Sequence, residues 1–287
     1  MRRKWNISWK AGALAGLILW GCGIVAAQGG GMQGSQSQPP AQPAKTPDTA
    51  PLTLDATPPV SAEEDAAFKD FQAVSTDDPA KKIAAGEAFL QKYPQSRYRA
   101  PVYGALTYAS VASNQIDKMQ EYGEKDIALV PNDVSVLAVM AQTLPRSLRS
   151  NTPDPDKVLA KAEQYSKQAI EITPTLPKPP NMTDETFATA KNQTLAMAHG
   201  GLGLVYVRRQ KYAEAIPELQ QAVKIDPKPD PVNYYLLGVA DKNTSHFDDA
   251  IAAFNQCAAM PGPMQPTCKN SAEDAKKRAA TELSAPK

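Results

Sequence analysis

The residues of this chain that could carry chemistry are few: two histidines, three cysteines, several short acidic runs and a glycine cluster at 200–203. A metal centre needs histidine, cysteine or carboxylate ligands grouped at short spacing. His199 and His246 belong to no such group, so both read as structural or solvated side chains and no metal is expected. Glu63-Glu64-Asp65, Asp77-Asp78 and Asp248-Asp249 could pair carboxylates for acid–base work. Each falls where a helical stretch begins, and negative charge there offsets the helix dipole. Gly200-Gly201-x-Gly203 has the composition of a phosphate loop, but it lies inside a helix-periodic run and follows no strand. No nucleophile elbow, haem-attachment motif, P-loop or zincin helix occurs. The expectation is therefore no catalytic residue, no cofactor and no enzymatic activity.

The elements around these residues follow a repeat. One stretch reads His199-x2-Leu202-Gly203-x2-Tyr206, then Ala215-x3-Leu219, Ala222 and Pro227. The next reads Tyr234-x2-Leu237-Gly238-x2-Asp241, then Ala250-x3-Phe254 and Cys257. Gly203 and Gly238, Ala215 and Ala250, Leu219 and Phe254, and Ala222 and Cys257 are each 35 residues apart. This pattern resembles the tetratricopeptide repeat (TPR), a pair of antiparallel helices. The small residues let paired helices approach, and the large ones fill the gaps between turns. One pair cannot bury its apolar face alone, so pairs stack. The resemblance implies an all-α, right-handed superhelix of TPR-like pairs, an α-solenoid, acting as a scaffold for protein or peptide partners. Its clearest repeats span 196–229 and 231–264.

Weaker pairs precede these. Ser61-x-x-Glu64 reads as a capping box for a helix over 61–74. Asp78-Pro79 supplies an N-cap and a first-turn proline for a helix to residue 93, and Asp154-Pro155 repeats that cap ahead of 155–172. Further helices are expected over 97–113, 115–130, 132–149 and 184–209. Phe89-Leu90-x2-Tyr93-Pro94-x-Ser96 resembles a string found in bacterial envelope TPR proteins. Residues 175–183 are rich in proline, with Pro177, Pro179 and Pro180, and are the expected site of a bend. Ala272, Ala275, Ala279 and Leu283 form one narrow stripe on a capping helix expected over 271–284. The helical domain thus covers 61–287.

The N-terminus reads as an export signal over 1–27. Arg2-Arg3-Lys4 precede an apolar run from Ala11 to Trp20, and Val25-Ala26-Ala27 offers a cleavage site after Ala27. Two alternatives stand beside it: an uncleaved anchor, and a lipoprotein lipidated at Cys22 within Leu19-Trp20-Gly21-Cys22. Residues 28–60 are rich in proline, glutamine and glycine and read as a disordered linker. The net charge is +1, and it becomes −3 without the four basic residues of 1–27, which argues against a nucleic-acid partner and leaves room only for a local basic patch. The expected setting is periplasmic or secreted. The membrane enters only through an uncleaved or lipidated N-terminus. Cys257 and Cys268 then stand as a candidate disulfide, with a buried free thiol at Cys257 as the alternative.

What remains is surface. In TPR arrays the first helix of each pair lines a groove, and its outward positions here include Tyr108, Arg208, Tyr235, Lys242 and Asn243. Aromatic and basic side chains there could grip an extended or acidic peptide.

Overall fold

A computed structural model describes residues 61–283 of the chain. The proposed export signal, the linker, Cys22 and the tail after 283 lie outside the described residues. Among the described residues there are eleven α-helices and no strand. They are α1 (Ala62–Ala73), α2 (Pro79–Lys92), α3 (Arg99–Ala112), α4 (Ile116–Leu129), α5 (Val134–Ser147), α6 (Pro155–Ile172), α7 (Asp184–Arg208), α8 (Tyr212–Ile225), α9 (Pro231–Asn243), α10 (Phe247–Ala259) and α11 (Gln265–Leu283). Consecutive helices pack as pairs, α3 with α4, α5 with α6, α7 with α8 and α9 with α10, and α11 closes against α10.

Three of these pairs share one turn. Asn114, Gln210 and Ser245 adopt left-handed backbone, with φ of 55°, 59° and 61°. In each case the following N–H donates back five residues: Gln115 to the Ser110 carbonyl at 2.8 Å, Lys211 to Tyr206 at 2.8 Å and His246 to Asp241 at 2.9 Å. This closure satisfies carbonyls that the end of the first helix would otherwise leave open. It also sets a register. Leu106, Leu202 and Leu237 occupy one slot; Ser110, Tyr206 and Asp241 a second; Asp126, Ala222 and Cys257 a third.

The pair α5–α6 departs from this turn. The extra residues at 150–153 lead to Asp154, which sits at φ 45°, ψ 57° and makes no side-chain capping bond. The expected repeat of the Asp78 cap is therefore corrected, because a capping residue needs extended backbone to aim its oxygen at the first turn. Asp78 does cap, accepting from the Lys81 N–H at 3.0 Å. The Ser61 box is half formed. Ser61 Oγ accepts from the Glu64 N–H at 3.1 Å, but the Glu64 carboxylate accepts from Ser96 Oγ instead of turning back.

Two boundaries also move. α11 starts at Gln265, not at 271, because Pro266 falls in its first turn, where a missing N–H is harmless. Cys268 is therefore inside this helix. The proline-rich 175–183 does not interrupt the core: α7 packs against both α5 and α6, and Leu144, Ala162, Ala198 and Val205 share one cluster. The thin joint lies earlier, where α4 meets α5 and α3 barely touches α5. On its N-terminal side a separate core gathers Phe71, Phe89, Leu106 and Tyr122 from α1 to α4.

Candidate interaction face

The first helices of the pairs form a row, α3, α5, α7 and α9, with α7 in contact with both α5 and α9. The glycine cluster on α7 makes this possible. A Cβ at Gly201 would stand 2.6 Å from the Ala141 carbonyl oxygen of α5, and one at Gly200 would stand 2.8 Å from Asn233 Oδ1 of α9. Gly203 admits Leu219 of α8 in the same way. The cluster is thus a packing device within a helix, and it brings three neighbours against one helix.

The expected face residues divide into two groups. Arg208 and Asn243 are exposed, and they are equivalent positions of consecutive repeats, each the last residue of a first helix. The Asn243 amide also donates to the Val239 carbonyl at 2.7 Å. Tyr235 and Lys242 are engaged internally. The Tyr235 ring centre lies 5.8 Å from that of Phe254, and Lys242 Nζ pairs with Asp274 of α11 at 2.8 Å. Tyr108 spans the thin joint: its hydroxyl donates to the Ser135 carbonyl of α5 at 3.1 Å. Burial, then the nearby Asp133 carboxylate, hold that hydroxyl above the usual phenol range. The five residues therefore do not form one continuous patch.

The repeat-signature residues sit in the core. Leu202, Gly203, Ala215, Leu219, Ala222, Leu237, Gly238, Ala250 and Phe254 are buried, Tyr206 is half-buried, and Pro227 is exposed after α8. Cys257 of α10 and Cys268 of α11 are joined as a disulfide and wholly buried. His199 Nδ1 lies 2.7 Å from Glu218 Oε2, linking α7 to α8. His246 precedes α10, with Nδ1 3.1 Å from Thr244 Oγ1.

Several polar features escaped the sequence reading. Arg146 at the end of α5 pairs at 2.8 Å with Asp230, the N-cap of α9, so it ties two first helices across α7. Lys82 is only 6 % exposed and donates to the carbonyls of Phe71, Gln72 and Val74, at 2.7, 3.3 and 3.0 Å, closing the end of α1. Burial lowers its pKa. Asp126 and Asp241 are carboxylates in core slots. Burial, then Asp249, push the Asp241 carboxyl up to about 6, with His246 opposing. Placing the repeat register on 97–130 would have flagged Asp126, because it falls where Ala222 and Cys257 fall.

The tetratricopeptide-repeat family model matches residues 196–229, which hold the second half of α7 and all of α8. No curated protein matches the chain. Among solved structures, the thermophilic TPR protein TTC0263 of Thermus thermophilus is 17 % identical, with 74 % of this chain and 98 % of that one covered, at a TM-score of 0.46. MamA from AMB-1 is 15 % identical, over 69 % of this chain and 96 % of that one, at 0.46. Yeast Tom70 is 16 % identical, over 77 % of this chain and 45 % of its own, at 0.49. Residues 196–229 are thus a tetratricopeptide repeat, and the pairs α3–α4 and α9–α10 repeat its turn and register.

Proposed function

We propose that this protein is a non-catalytic scaffold exported to the bacterial cell envelope, where it binds another protein through the row of first helices. The observation that carries the reading is the placement of Arg208 and Asn243. The row is closed inside by packing, yet each of its last two members ends on an exposed polar side chain in the same register. A guanidinium and an amide repeated along a row suit an extended segment that offers carboxylates or backbone carbonyls. Export is supported by the signal-like N-terminus and by the Cys257–Cys268 bridge, since such bridges persist in oxidising compartments.

The test is affinity capture from envelope extracts with the wild-type chain and with the double variant Arg208→Glu, Asn243→Ala. A partner retained by the wild type and lost by the variant supports the reading. A partner retained equally by both puts the binding surface elsewhere. N-terminal analysis of the mature protein tests export: a start at Gln28 is expected. A lipidated start at Cys22 would instead favour the second reading, a lipid-anchored accessory subunit of an envelope assembly or transport complex, which rests on Leu19-Trp20-Gly21-Cys22.

A further inference from the structure

The shared turns place Asp126 of α4 in the slot that Ala222 fills in α8 and Cys257 in α10. In those helices the slot is wholly buried and holds a small uncharged side chain. Asp126 is buried as deeply, at 1 % exposure, and neither of its side-chain oxygens has a hydrogen-bond partner. An unpaired carboxylate in such a place lacks both water and a counter-ion, so the neutral carboxyl is the form that packs.

The groups that face it are acidic too. α3 contributes the Tyr108 hydroxyl, and the start of α5 contributes Asp133, whose carboxylate accepts from the Ser135 and Val136 N–H groups at 3.0 and 3.1 Å. The cations of α4, and Glu124 and Glu121 beside them, are engaged elsewhere. Glu124 pairs with Lys161 of α6, Lys118 pairs with Glu87 of α2, and Lys125 pairs with Glu121 on α4 itself. Burial, then Asp133, push the Asp126 carboxyl up to about 8. Asp126 also sits at a thin joint of the array, where α4 gives Met119 to the core that continues into α7 and Tyr122 to the core of α1–α4.

We propose that the seam between α4 and α5 is a protonation-dependent joint, closed while Asp126 carries its proton and loosened when that proton leaves to solvent. When the seam opens, the carboxyl reaches water and returns to the ordinary carboxylate range. The closed form therefore binds the proton more tightly than the open form. Its advantage is complete below about pH 4 and is lost as pH rises through about 8, by roughly tenfold in the opening constant per pH unit between those limits. The Tyr108–Ser135 bond crosses the same seam, so opening also separates α3 from the row of first helices. This holds whatever the row binds.

The test is amide hydrogen exchange of the full chain from pH 5 to 9, corrected for intrinsic rates, on the wild type, Asp126→Asn and Asp126→Ala. Alanine is what the slot holds in α8, so the second variant guards against misfolding of the first. The expected result is an opening constant for α4 and α5 amides that rises about tenfold per pH unit up to about pH 8 in the wild type and stays level in the variants. Amides of α7 and α8 should stay level in all three. Equal slopes in wild type and variants would overturn the proposal. A carbon-13 carboxyl titration of the unmutated protein reads the same proton without substitution: a midpoint near 8 for Asp126 supports the joint, and one near 4 sinks it.

Discussion

Gly201 and Ala141 meet backbone to backbone, and the contact joins α7 to α5 across the proline-rich segment. A Cβ at Gly201 would lie 2.6 Å from the Ala141 carbonyl oxygen and 2.7 Å from its carbon. Pro145, within α5, has no N–H to give the Ala141 carbonyl four residues before it. The carbonyl freed by one residue is thus covered by the bare Cα of another. Backbone cannot swing aside as a side chain can. Gly201→Ala should therefore cost about 2 kcal/mol net, the overpacking penalty less about 1 kcal/mol of helix propensity gained. At Gly123 the added methyl meets the flexible Met140 side chain instead, so Gly123→Ala should fall within about 0.5 kcal/mol of wild type. Urea unfolding with unchanged slope gives both numbers.

The disulfide adds a covalent hold to the packing of α11 on α10. The residues this helix buries are small, Ala272 and Ala275 beside Cys268, and its pair with Lys242 is partly exposed at Asp274. Such a pair contributes little. Closing a loop of this length confines the open chain by about 3 kcal/mol. The double variant Cys257→Ala, Cys268→Ala should raise exchange of α11 amides by about a hundredfold and leave α7 and α8 unchanged. Exchange mass spectrometry reads this directly. Unaltered α11 protection would mean that packing alone holds the cap.

Lys82 holds α1 by its C-terminus. Its ammonium donates to three carbonyls and lies 4.2 Å from the centre of the Phe71 ring. Methionine keeps the length and the apolar stem but offers no donor. Lys82→Met should cost about 2 kcal/mol and should loosen α1 ahead of the other helices. Calorimetry gives the stability loss, and exchange of α1 amides gives its location.

Asp241 occupies the slot of Tyr206 and is 3 % exposed. Its carboxyl titrates near 6 in the folded chain, above its ordinary range. The folded protein thus binds this proton more tightly than the unfolded one, and the stability it lends falls as pH rises from about 4 to about 6. Asp241→Asn should match the wild type near pH 4 and exceed it above pH 6 by on the order of 2 kcal/mol. Urea midpoints of the two proteins across that range check it. A difference that does not vary with pH would contradict the assignment.

The repeat at 196–264 was legible because its signal lies in side chains of fixed size at fixed spacing, such as Gly203, Ala215 and Leu219. The turn that unites three pairs was not, because backbone hydrogen bonds make it and three different residues, Asn114, Gln210 and Ser245, fill its left-handed position. The prolines of 175–183 signalled a bend because they stop helices locally. They cannot report that Gly201 finds Ala141 across the gap. The exposure of Arg208 and Asn243 followed from register alone. The place of Lys242 did not, because α11, which the register does not describe, covers it, and that of Tyr235 did not, because its ring turns onto Phe254 of its own pair. α11 begins earlier than its alanine stripe shows and carries Asp274 to Lys242. Asp126 was hidden by the drift of its own repeat, where Thr107 and Gly123 obscure the pattern.

Whether the first-helix row binds a protein is best read by site-specific photo-crosslinking in the native compartment, with a crosslinking side chain at position 208 or 243 and a control at position 220 on the exposed side of α8. One protein partner should be captured from 208 and from 243 and not from 220. Asn243→Ala should also diminish capture from 208. Capture from 220 alone, or no capture from either 208 or 243, would contradict binding through the row.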